Sequence, residues 1–169
     1  MKLWHIGPDR AAEWREIRLE SLRLDSEAFG SRYEDWRDVP AAGFEQRLRD
    51  ARHFGAGEVE GQPLAVGCWQ AGMVSEDPFC GWVMSVYARP EARGRGYVDR
   101  VMQHIAQDAA AQGMTSLGLH VVTTNTQALR LYQRLGFVDS GKSGIVSGMG
   151  HPEYKMILDL SGASQRGIN

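Results

Sequence analysis

Apolar residues recur along the chain in two rhythms, one suited to strands and one to helices. The short run Leu3-Trp4-His5-Ile6 reads as an opening strand, and Gly7-Pro8-Asp9 after it reads as a turn that starts a helix. From about Arg10 to Leu24 the residues are helix formers, with Trp14, Ile17, Ser21 and Leu24 on one face. The segment from Glu27 to Asp35 breaks that rhythm at Gly30 and mixes aromatic with acidic side chains. After Pro40 a second helix is predicted, its apolar side formed by Phe44, Leu48 and Ala51. Three strands follow at Phe54 to Val59, Leu64 to Trp69 and Gly81 to Tyr87, separated by turns at Glu60 to Pro63 and Gly72 to Pro78.

In the second half, Val98, Val101, Met102, Ile105, Ala106 and Ala109 mark one face of a helix that ends near Gly113. Leu117 to Val122 reads as a buried strand. Thr123-Thr124-Asn125 supplies cap residues for a helix bearing Ala128, Leu131, Tyr132 and Leu135, stopped at Gly136. Phe137-Val138 and Tyr154 to Leu160 are the last two strands. The glycine-rich stretch between them, Gly141 to Gly150, is either a slack hairpin loop or a mobile lid at an acceptor site. Residues 161–169 form a polar tail expected to be disordered. The order predicts one α+β domain over residues 1–160, with helices flanking a mixed, largely antiparallel seven-stranded sheet.

A chain of 169 residues can bury a core without help from metal or disulfide. The net charge of −2, with basic residues spread along the chain, argues against a general nucleic-acid binder. Neither a secretory h-region nor a long apolar run appears, so the expectation is a cytoplasmic protein that does not engage a membrane. Cys68 and Cys80 lie in strand-like segments that a hairpin could bring near each other, but a reduced, half-buried pair is the expectation. They lack a C-x-x-C spacing, and the histidines are scattered, so no metal site is expected.

The most informative stretch is Arg93-Gly94-Arg95-Gly96-Tyr97-Val98, which joins the strand ending at Tyr87 to the helix that follows. A glycine-rich turn at a helix N-terminus aims free N–H groups and the positive end of the helix dipole at one spot, and that spot suits phosphate. Two arginines add charge-assisted contacts, and the glycines let the backbone approach an anion closely. Alone, the same residues read equally well as a tight connection with solvated arginines. The spacing fits neither a P-loop nor a dinucleotide fingerprint.

Three segments together resemble the GNAT superfamily of N-acetyltransferases, over essentially the whole chain to about Leu160. Val86-Tyr87-Ala88-Arg89-Pro90-Glu91-Ala92-Arg93-Gly94-Arg95-Gly96 looks like that family's strand and pyrophosphate loop. Asn125-Thr126-Gln127-Ala128-Leu129-Arg130-Leu131-Tyr132-Gln133-Arg134-Leu135-Gly136-Phe137 is similar to its N-x-x-A-x-x-L-Y-x-x-x-G-F helix and exit. Ala28-Phe29-Gly30-Ser31-Arg32-Tyr33-Glu34 resembles its acceptor-side segment. One departure stands at Val98, where the family pattern asks for glycine or alanine.

The resemblance implies an N-acetyltransferase that moves an acetyl group from acetyl-CoA, its co-substrate, to a primary amine of a small molecule or peptide through a tetrahedral intermediate. Arg93, Gly94, Arg95, Gly96, Tyr97 and Val98 would offer N–H groups to the pyrophosphate. Val86, Tyr87 and Ala88 would pair with the pantetheine arm like an added strand, with Val86 or a neighbour as oxyanion donor. Asn125 would bind the pantetheine or hold the opening, with Ala128 and Tyr132 beside it. Tyr132 would be the general acid. The general base is either Glu34 or His120, the latter alternating with Leu119 and Val121. The acidic, aromatic residues Tyr33, Glu34, Asp35 and Asp38 suit a cationic amine, or form a solvated loop. A coenzyme-A-binding sensor with little acyl transfer is the alternative, and a homodimer stays open.

Overall fold

In the computed structural model, which describes residues 1–73, 77–146 and 150–162, the first half of the chain runs β1 (Lys2–His5), α1 (Ala11–Leu24), α2 (Tyr33–Trp36), α3 (Ala41–Asp50), β2 (Arg52–Gly57), β3 (Ala65–Gln70) and β4 (Cys80–Ala88). The second half runs α4 (Tyr97–Ala111), β5 (Ser116–Val122), α5 (Thr126–Arg134), β6 (Val138–Val146) and β7 (Pro152–Asp159). The strands form one seven-stranded sheet in the order β1-β2-β3-β4-β5-β7-β6. Every neighbouring pair is antiparallel except β4 and β5. Parallel neighbours require a crossover, and α4 supplies it.

Each face of the sheet carries its own core. Phe54, Ala56, Ala65, Trp69 and Val83 point to one side, where they meet Val101, Ile105 and Ala109 of α4 and Tyr132 of α5. Trp4, Ile6, Val66 and Tyr87 point to the other, against Trp14 and Ile17 of α1 and Phe44 and Leu48 of α3. Ionic contacts tie α1 to the end of β4: Arg89 reaches Glu16 and Glu20 at 2.8 Å each, and the Tyr87 hydroxyl donates to Glu20 at 2.9 Å.

Strand β4 is irregular at its centre. Tyr87 pairs with Val66 and Met84 with Cys68, so Ser85 and Val86 together stand opposite Gly67. This is a β-bulge, and Ser85 takes φ of 55° to form it, the sole positive φ of a non-glycine residue among those described. In a regular strand, residues four apart share a face. Here Val83 and Tyr87 enter opposite cores, because the extra residue turns the strand over.

The elements agree with the sequence reading, with several differences. Leu24 does not belong to the buried face of α1: it is 52% exposed, and Arg18 and Leu22 take its place. Tyr33–Trp36 forms a short helix rather than a broken segment, and Val59 lies beyond β2, exposed. Most of the expected glycine-rich loop is strand, since β6 runs to Val146 and pairs with β7; residues 147–149 lie outside the described residues, as do 163–169 of the expected tail. Cys68 and Cys80 are free thiols, fully rather than half buried.

Candidate active site

Strands β4 and β5 are partners over only three residues each, with Cys80, Gly81 and Trp82 opposite Ser116, Leu117 and Gly118. Beyond Trp82 they part, while β5 stays paired with β7 along its full length. The bulge at Ser85 accentuates the parting, because bulges bend the strand that carries them. The wedge opens into a groove of about 1330 Å³ lined by Asp25 and Phe29, by Val86, Tyr87 and Ala88, by Gly94 and Gly96 of the turn, and by Asn125, Ala128 and Tyr132. At its inner end a pocket of about 100 Å³ lies between Val83–Val86 and Leu119–Val122, with Phe29 and Tyr132 in its wall.

The turn at the outer end presents open backbone to the groove. Gly94 and Gly96 have φ of 71° and 81°, which L side chains rarely adopt, and a Cβ on either would stand in open space. The N–H groups of Arg93 and Arg95 donate to the carbonyls of Pro90 and Ala92, at 3.3 Å each. Those of Gly94, Gly96, Tyr97, Val98 and Asp99 have no backbone acceptor among the described residues and sit at the N-terminus of the long helix α4. Of the six residues expected to offer N–H groups, Arg93 and Arg95 therefore spend theirs inside the turn, and Asp99 joins the free set. Arg93 lines the groove but pairs with Asp25, while Arg95 lies over the Tyr97 ring and outside the groove lining. The Tyr97 hydroxyl donates to Glu58, which fixes the first turn of the helix. Val98 lines the groove yet packs against the core, so its extra bulk is accommodated by the protein.

Helix α5 closes the wedge from the β5 side. Asn125 caps it by accepting from the Ala128 N–H at 3.1 Å. Two turns later Tyr132 is buried, edge-on to Phe137, with its hydroxyl free of any hydrogen-bond partner among the described residues. Burial pushes its phenol well above the ordinary tyrosine range, so it stays protonated.

His120 lies in the wall of the inner pocket, edge-on to Trp82, with Nδ1 3.7 Å from the Glu153 carboxylate. Burial, with a smaller push from Lys155, lowers its pKa below 6.5 and favours the neutral imidazole. Glu153 is in turn raised by burial. Glu34 stands exposed on α2, outside the lining of both cavities. Asp35 pairs with Arg32 and Asp38 with Arg37, so the acidic stretch is a solvated, partly neutralised surface. Sequence reasoning missed the Ser85 bulge and Asp25, neither of which carries a local signal.

The geometry has counterparts. The model of the acetyltransferase (GNAT) family matches residues 12–137. A Pseudomonas aeruginosa protein described as an L-methionine sulfoximine/L-methionine sulfone acetyltransferase is 29% identical over 136 residues, which span 72% of this chain and 74% of that one. The fold is shared with a ribosomal-protein-alanine N-acetyltransferase from Brucella melitensis, at TM-score 0.77 and 17% identity over 94% of this chain and 99% of that one. It is shared also with a Salmonella typhimurium protein solved with its cofactor acetyl-CoA, at TM-score 0.75 and 19% identity over 95% and 94%.

Proposed function

Because this chain belongs to the acetyltransferase (GNAT) family and is an acetyl-CoA-dependent N-acetyltransferase, we propose that its reaction takes place in the wedge between β4 and β5. The observation that carries this is the turn at Gly94–Gly96, where five undirected N–H groups and two open glycine positions leave room for a pyrophosphate. Acetyl-CoA supplies an activated thioester. Everything else falls to residues of the chain. Gly94, Gly96, Tyr97, Val98 and Asp99 donate to the phosphates, and Arg93 adds charge nearby. The unpaired edge of β4 from Val86 to Ala88 lies along the groove, where an amide-bearing arm can add as a strand.

At the inner end, backbone N–H groups of the bulge at Ser85 and Val86 are suited to hold the oxyanion of a tetrahedral intermediate. Tyr132 gives its proton to the departing thiolate, a role favoured by a hydroxyl that is protonated and uncommitted. His120, neutral and beside the pocket, accepts a proton from the amine, directly or through water. Asn125 holds the opening through its cap on α5, with Ala128 at the same helix end. The position of Glu34 does not favour it as the base. The acceptor is a small-molecule amine, a reading supported by the relative that acts on methionine sulfoximine and methionine sulfone. Residues 1–160 act as one domain, in the cytoplasm and without a metal. The sensor alternative draws on Val98 and on the lack of an obvious carboxylate in the strand before the turn; of these, the Val98 side chain packs against the core.

Thiol release from acetyl-CoA, measured across a panel of amines with the acetylated product identified by mass, tests the assignment. Turnover on at least one amine is expected. Tight coenzyme A binding with no turnover on any amine would reinstate the sensor.

A further inference from the structure

Arg18 stands in the middle of α1 and is 6% exposed, yet no carboxylate pairs with it among the described residues. Its Nε and Nη1 are fully buried with no hydrogen-bond partner, and so is Nε1 of Trp14, one helical turn earlier on the same face. Both side chains meet Trp36: the Arg18 guanidinium lies 5.3 Å from its ring centroid, and the Trp14 ring stands edge-on at 5.9 Å. Phe29 lies on the guanidinium at 4.9 Å. Two ionisable neighbours act on it: the Cys68 thiol, which burial keeps protonated at neutral pH, and another cation, Arg47, itself 5.1 Å from the Trp36 ring. His53, edge-on to Trp14 at 4.5 Å, is held neutral by burial.

Among the described residues, three buried donors are left without an acceptor partner, which makes an incomplete site. A buried, unpaired charge is among the costliest features a fold can carry. Burial lowers the Arg18 pKa only to about 10, so it remains a cation at neutral pH. The missing component is an anion. A planar guanidinium fork with a neighbouring indole N–H matches the two oxygens of a carboxylate.

The site borders the point of transfer. Phe29, which covers Arg18, lines both the groove and its inner pocket. Cys68, which feels the Arg18 charge, donates its thiol to the Met84 carbonyl at 3.3 Å and meets the Ser85 hydroxyl at the bulge. The phosphate-binding turn lies at the other end of the groove and has its own donors, so the donor's phosphates do not need Arg18.

We propose that Arg18, assisted by Trp14, receives the carboxylate of the acceptor, which is therefore an amino acid or another small amine bearing a carboxylate. The proposal rests on the acetyl-transfer reading above and names its substrate class. It also replaces the cationic-amine expectation, since Asp35 and Asp38 are already paired with arginines at the surface.

The test compares matched acceptors that differ only in the carboxylate. The protein amino acids and L-methionine sulfone are assayed beside their decarboxylated amines, with the wild-type chain and with Arg18→Met and Arg18→Lys. The wild type is expected to acetylate carboxylate-bearing members. Arg18→Met should lose about 10–100-fold in kcat/KM on them, mainly through KM, while its KM for acetyl-CoA stays unchanged. Arg18→Lys should recover part of the loss. Because the methionine variant removes an unpaired buried charge, its thermal midpoint should match or exceed the wild type's. Equal use of decarboxylated amines by the wild type, or an unchanged preference in Arg18→Met, would overturn the proposal. If no amine is turned over, the transfer reading fails separately, and thermal shifts decide Arg18. Stabilisation of the wild type by the amino acids that vanishes in Arg18→Met supports the site, and its absence overturns it.

Discussion

The Arg93 guanidinium donates to Asp25 at 2.8 Å and to the Ala88 carbonyl at 3.3 Å, so the first arginine of the glycine-rich turn is already held by the protein across the mouth of the groove. Asp25 thus places a negative charge beside the turn proposed to bind phosphate.

Replacing Asp25 with Asn should therefore lower KM for acetyl-CoA. Both partners are about one-third exposed, and an exposed pair contributes at most about 1 kcal/mol, so the change should be no more than about fivefold. It should be largest at low ionic strength and fade with added salt, with kcat unaltered. Initial rates at two salt concentrations measure it.

Gly96→Ala should act in the opposite direction. Its φ of 81° costs an L residue about 1–2 kcal/mol, and the new methyl would enter the space left for phosphate. A rise in KM for acetyl-CoA of about tenfold or more is expected, together with a lower unfolding midpoint.

Tyr132→Phe separates chemistry from folding, because the hydroxyl it removes has no hydrogen-bond partner to lose among the described residues. A fall in kcat of about 100-fold with unchanged stability and unchanged KM for acetyl-CoA is the expected result for a general acid. Full turnover in this variant would remove Tyr132 from the mechanism. His120 is read from the acid limb of the pH–rate profile, which should lie below pH 6.5 because burial lowers its pKa. His120→Gln should abolish that limb.

Buried His53 makes stability depend on pH. Burial lowers its pKa to about 4, from 6.5 in the unfolded chain. Between those values the unfolded state binds the proton and the folded state does not. The contribution is therefore complete above pH 6.5 and is lost as pH falls toward 4, by about 3 kcal/mol in all. Urea unfolding at pH 7, 5.5 and 4.5 should show this loss, and His53→Gln should flatten it.

Local pattern was enough to place the helices and most strands, because Trp14, Ile17, Phe44, Leu48 and the α4 stripe repeat at helical spacing, with Pro8 and Pro40 ahead of α1 and α3 and Gly113 after α4. The glycine-rich turn before α4 was legible because glycine is favoured where φ is positive. Ser85 was not, since serine gives no hint that its backbone will take that conformation. Arg18 was invisible for a different reason: an arginine beside an apolar stripe reads as surface, and only the folding of Phe29 and Trp36 over α1 buries it. Leu24 was misplaced because the stripe it continues runs out at the rim of the groove. The strand content of residues 141–146 depends on pairing with β7, a long-range partner that glycine-rich sequence does not announce.

Mechanically, the sheet has a tear line. β1 to β4 and β5 to β7 are zipped internally, but three residues on each side join the two halves, and there the Trp82 ring occupies the place where a side chain on Gly118 would be. A molecule lodged in the wedge grips both halves at once and works as a rivet. The shortest seam of the sheet is thus the one that a substrate in the proposed site would fasten.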